Sequence, residues 1–128
     1  FSGIYHNFQW SWDGSRIAFK ATTPDRSFVL ATMETKQDDP QLLQVEMAGI
    51  RPRIAFHPVT QDLYFSQESD VHKGRRLFSV PSRTLQDLQS QPKYLDGQPP
   101  GLVNDVGSWS PDGKHVLICR TKPELEPE

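Results

Sequence analysis

The chain has a single cysteine, Cys119, among its 128 residues. That excludes an internal disulfide framework and a zinc site built from several thiolates. No apolar run approaches the roughly 18 residues that a bilayer-spanning helix requires, so no membrane insertion is expected. Charge of one sign is lacking too: 14 basic residues face 16 acidic ones, for a net charge of -2. Such a balance gives no field to draw in nucleic acid, and no nucleic-acid partner is expected. Hydrophobic residues make up 35% of the chain. Chemical signatures are missing as well. There is no phosphate loop, dinucleotide fingerprint or His-Glu-x-x-His pair. Gly107-Ser108-Trp109-Ser110 lacks the closing glycine of a nucleophile elbow. No enzyme chemistry and no cofactor are therefore expected. The first residue is Phe1, which fits a processed secreted chain and an excised piece equally.

What the chain does have is turns, with 11 prolines and 8 glycines, and a repeat. Trp10-Ser11-Trp12-Asp13-Gly14-Ser15-Arg16-Ile17-Ala18-Phe19 matches Trp109-Ser110-Pro111-Asp112-Gly113-Lys114-His115-Val116-Leu117-Ile118. A weaker copy, Phe56-His57-Pro58-Val59-Thr60-Gln61-Asp62-Leu63-Tyr64-Phe65, lies between them. The period is 46 and then 53 residues (10 to 56, 56 to 109), near the ~40–50 residues of a four-stranded propeller blade. Within each copy an aromatic ends one strand, a Pro-Asp-Gly type turn reverses the chain, and glycine takes the left-handed position. Thr60 stands where the outer copies have Gly14 and Gly113, so the middle turn must differ. Ile17-Ala18-Phe19, Leu63-Tyr64-Phe65 and Val116-Leu117-Ile118 read as strands covered on both faces. Ser27–Thr32 and Arg76–Val80 read as further strands, with weak outer strands at Leu42–Val45 and Lys93–Leu95. The connection from Ser82 to Lys93 has room for one helical turn.

The Trp-Ser-Pro-Asp-Gly-Lys run, with Leu77-Phe78-Ser79-Val80 and Tyr94-Leu95-Asp96-Gly97, resembles the repeats of TolB-like β-propellers, relatives of the WD-type repeats. The resemblance implies an all-β fold of antiparallel four-stranded blades, incomplete in one chain where the family usually has six. Residues 1–122 would form the partial propeller, with blades at 6–50 and 51–104 and a half-blade at 105–122. Residues 123–128 would be a tail or linker. A missing half-blade leaves apolar surface and strand edges open, so a homodimer that closes the ring is one expectation. The resemblance further implies a periplasmic or extracellular location and a non-enzymatic module that binds a protein or peptide. The alternative is a non-catalytic gating propeller of a larger serine peptidase of the prolyl-oligopeptidase or tricorn kind.

Candidate contact residues follow from repeat phase. The segment entering each innermost strand holds His6 and Asn7, then Arg51 and Arg53, then Asn104 and Asp105. Polar types there suggest a solvated rim suited to directional hydrogen bonds. Other features read as structural. Trp10, Phe56 and Trp109 are expected in the core between blades. Asp13-Gly14 and Asp112-Gly113 lack the alternating carboxylates of a calcium loop. Glu68, Asp70 and His72 belong to a solvated hairpin loop rather than a metal site. Lys73-Gly74-Arg75-Arg76 reads as a basic turn, His57 as a turn or surface residue, and Cys119 as an inert small hydrophobe.

Overall fold

A computed structural model describes residues 5–22, 28–36, 41–46, 53–81, 92–98 and 103–121. The protein is all-β, with no helix among the described residues. The first sheet runs in the order β1 (Tyr5–Trp10), β2 (Arg16–Thr22), β3 (Phe28–Glu34), β4 (Gln41–Glu46). The second has β5 (Ile54–Phe56), β6 (Leu63–Ser69), β7 (Gly74–Val80) and β8 (Lys93–Tyr94). The third contains β9 (Val103–Trp109) and β10 (Val116–Thr121). Every pairing is antiparallel between chain neighbours.

The repeat turns explain why these strands meet. Ser11 Oγ donates to Asp13 Oδ1 and accepts from the Arg16 backbone N–H. The same oxygen of Asp13 also accepts from the Ser15 N–H and Ser15 Oγ. The Ser15 contacts lead these hydrogen bonds in lowering the Asp13 carboxyl to about 2. Ser110 and Asp112 repeat the arrangement with Lys114 and His115. Hydrogen bonds led by the Ser110 hydroxyl likewise lower Asp112. Gly14 and Gly113 take φ of 73° and 74°. The middle turn does differ. The left-handed residue is Gln61, at φ 65°, and His57 Nδ1 accepts from the Val59 and Thr60 N–H groups.

Each sheet presents two unlike faces. Ile54, Phe56, Leu63, Phe65, Phe78 and Val80 of the second sheet pack against Ala18 and Leu30 of the first. On its other side Ala55, Leu77 and Tyr64 pack against Val106, Trp109, Val116 and Ile118 of the third. The second sheet is thus covered on both faces. Two polar links staple successive turns. Trp12 Nε1 donates to the Phe56 carbonyl at 2.9 Å, and His57 Nε2 reaches the Gly113 carbonyl at 3.0 Å. Because His57 Nδ1 is an acceptor, its ring proton sits on Nε2. Hence His57 joins two sheets as well as closing its own turn, and its ring lies 4.5 Å from that of Trp109.

Several expectations need correcting here. Trp10 shares its phase with Phe56, yet it is 62% exposed where Phe56 is 2% exposed. No sheet among the described residues covers the face that carries Trp10. The hairpin between Ser66 and Gly74 is shorter than expected, since β6 continues to Ser69 and Ser66 is fully buried. Arg76 does not lie in solvent either: it is 1% exposed and donates to the Lys73 and Arg75 carbonyls. Leu117 is 65% exposed, so β10 is covered on one face only. The helical turn expected within 82–93 and the tail at 123–128 lie outside the described residues.

Candidate functional site

Arg53, immediately before β5, is exposed, and its Nη1 donates to Cys119 Sγ on β10 at 3.2 Å. Cys119 pairs in register with Asp105 on β9. Asp105 in turn meets Arg75 of β7 in an ion pair of 3.7 Å, beyond hydrogen-bond reach. Arg75 also lies 3.9 Å from Glu68, its cross-strand neighbour on β6. One polar cluster therefore spans the second and third sheets at one end of their contact. It holds two guanidiniums, the half-buried carboxylate of Asp105 and the exposed one of Glu68. Sharing with Asp105 and Glu68 offsets the charge of Arg75. Arg53, by contrast, donates to the Cys119 sulfur and faces solvent.

Asn104, next to Asp105, is fully buried. This differs from the solvated rim position expected of it. The cause is Gln98, whose side-chain amide accepts from the Leu77 N–H at 2.8 Å and donates to the Leu77 and Leu95 carbonyls. Gln98 thereby extends the ladder on β7 beyond the two residues of β8. Asn104 Nδ2 donates to Gln98 Oε1 at 3.2 Å. Asn104 is thus part of the support beneath the cluster.

Of the remaining expected contact residues, His6 and Asn7 lie on β1, paired to β2 through His6 and Lys20. Their side chains, and all of Arg51, lie outside the described residues. The structure thus sets Arg53 beside Cys119, the register partner of Asp105, while Asn104 turns to Gln98. Sequence reasoning took Arg75 for part of a basic turn and missed Gln98. Arg75 had a usable signal: it falls two residues before Leu77, so both point to the same face of β7. Gln98 had none, being a lone amide after an Asp-Gly turn.

Other places are less suggestive. A surface pocket of about 250 Å³ is lined by Ser15, Arg16, Glu34, Thr35 and Lys36, with Arg16 and Glu34 ion-paired at 3.3 Å across it. His72 stacks on Tyr94 with ring centroids 3.6 Å apart, which occupies one face of the imidazole. Among the described residues no group of three metal-ligating side chains converges. No helix among them is long and apolar enough to cross a membrane. What the fold defines is an all-β protein of antiparallel sheets. No protein-family model matches the chain, and no curated protein matches it.

Proposed function

We propose that the chain is a non-enzymatic binding module, a partial propeller of the TolB-like kind in which the three sheets are successive blades. Its contact surface is the polar end of the cleft between the second and third sheets. The observation that carries this reading is that the exposed Arg53, just before β5, reaches Cys119 on β10, the register partner of the Asp105 that is ion-paired with Arg75 of β7. Such a set offers a guanidinium to a carboxylate and a carboxylate to a donor, the chemistry of an extended peptide or protein surface with an acidic side chain. Arg53 supplies the attraction and Asp105 holds Arg75 in place.

The test uses immobilised peptides that differ only in carrying Glu or Gln at a central position. The wild-type chain is expected to bind the Glu series. Arg53→Ala should weaken that binding by about ten-fold or more, the scale of one charge-assisted hydrogen bond. The circular dichroism should stay unchanged, since Arg53 is exposed. Equal binding of both series, or full binding by Arg53→Ala, overturns the reading.

A further inference from the structure

The sequence contains three Asp-Gly pairs: Asp13-Gly14, Asp96-Gly97 and Asp112-Gly113. Such a pair is chemically labile, because glycine puts no side chain in the way when its amide nitrogen attacks the preceding side-chain carboxyl. All three aspartates are exposed, so access to water does not separate them. What separates them is the hydrogen bonding of the two reacting groups. In the repeat turns the attacking nitrogen is occupied: Gly14 N–H donates to the Ser11 carbonyl at 3.0 Å, and Gly113 N–H to the Ser110 carbonyl at 2.9 Å. The carboxyls are occupied as well, Asp13 by Ser11 and Ser15, Asp112 by Ser110 and the Lys114 N–H. These bonds, led by the Ser15 hydroxyl at Asp13 and the Ser110 hydroxyl at Asp112, hold both carboxyls below the usual range, Asp13 at about 2. The neutral acid that the attack needs is thereby scarce at both turns. Asp96-Gly97 has none of this. Among the described residues nothing bonds the Asp96 carboxyl or the Gly97 N–H, and a Cβ on Gly97 would meet nothing within 4 Å. The pair also links two points that hold β7. Leu95, just before it, donates its N–H to the Leu77 carbonyl, and Gln98, just after it, binds Leu77 and Asn104.

We infer that Asp96-Gly97 is a self-modification site, which converts to isoaspartate in the folded chain and so loosens the grip of Gln98 on β7. The Gly97 nitrogen bonds to Asp96 Cγ and a water molecule leaves, its hydroxyl from the carboxyl and its proton from the amide. Water then opens the five-membered ring. Addition at the Cγ carbonyl restores aspartate. Addition at the Asp96 main-chain carbonyl leaves the chain running through Cβ and Cγ, with a free α-carboxylate beside it. The mass is unchanged, and water is the only co-reactant. The main chain gains one carbon between Leu95 and Gly97, so the link between the two points that hold Leu77 becomes too long for both. Leu77 N–H and the buried Asn104 amide then lose the oxygen that joins them. This site does not rest on the peptide-binding reading, although Asn104 lies beneath that cluster.

The test ages the whole folded chain in mildly acidic buffer, then unfolds it and digests it with a protease that cuts before aspartate but not before isoaspartate. Cleavage at Asp96 should be lost at least about ten-fold faster than at Asp13 or Asp112, the scale of one backbone hydrogen bond that must break before the nitrogen attacks. In denaturant the three rates should converge, since glycine follows the aspartate in each pair. In the aged chain, amide exchange at Leu77 should quicken by about ten-fold. Asp96→Glu keeps the charge but closes no five-membered ring, so it should abolish both changes. Equal native rates at the three pairs overturn the proposal. So does a lead at Asp96 that persists in denaturant, because sequence and not the fold would then set it. Isoaspartate at Asp96 with unchanged exchange at Leu77 overturns it too.

Discussion

Gly14 and Gly113 occupy the same place in two copies of one turn and have nearly the same backbone angles, but their surroundings differ. A Cβ on Gly14 would meet nothing within 4 Å. On Gly113 it would lie 2.6 Å from His57 Cε1 and 2.9 Å from Nε2. The expected outcome of Gly14→Ala is the left-handed backbone cost alone, about 1 kcal/mol. Gly113→Ala should cost at least about 2 kcal/mol, because it also displaces the ring that bonds the Gly113 carbonyl. Urea denaturation of both variants checks this, and adding His57→Ala should make the second site cost about what the first does. Equal costs of the two substitutions with His57 in place would show that the imidazole yields freely. The turns themselves were legible in the sequence because Ser-x-Asp-Gly chemistry is local. The burial of Asn104 was not: a polar residue reads as solvent-facing unless its partner is known, and that partner is six residues away.

At the scale of elements, short continuous apolar runs located the starts of β2, β6 and β10 to within a residue, though each strand runs three or four residues further, and the runs at 27–32 and 76–80 anticipated β3 and β7. The outer strands were the weaker part. β8 has two residues, and neither its sequence nor its length shows how the β7 edge is satisfied. The structure solves this with a side chain: Gln98 pairs both backbone groups of Leu77 and also holds Leu95 and Asn104. Gln98→Ala should therefore cost about 2 kcal/mol or more, since it takes the acceptor from the Leu77 N–H and from the buried Asn104 amide, while the Leu77 carbonyl keeps the Leu95 N–H. Gln98→Glu should be no better, because a carboxylate accepts from Leu77 N–H but repels the Leu77 and Leu95 carbonyls. Chemical denaturation measures both. A loss under about 0.5 kcal/mol in each would mean that the ladder closes without the amide.

On the scale of the whole molecule, the repeat places identical residue types in unequal settings, and position in the stack decides what each contributes. Phe56 and Trp10 end equivalent strands and begin equivalent turns. Phe56 is enclosed between the first and second sheets with Leu63, Phe65 and Val80, whereas Trp10 stands on the outward face of the first sheet beside the exposed Phe8. Periodicity assigned both to the core because phase tells which face a residue takes, not whether a neighbour covers that face. Phe56→Ala should thus cost about 3–5 kcal/mol, the range for removing a buried aromatic. Trp10→Ala should stay within about 0.5 kcal/mol, as for a surface substitution. Thermal or urea unfolding of the two variants at low protein concentration is the measurement. A large loss from Trp10→Ala that grows with protein concentration would mean that the outward face is covered by a second chain. The same loss independent of concentration would mean that the face is covered from within the chain. With Trp10 silent, the enclosed second sheet carries most of the fold, and the two-stranded third sheet rests on it.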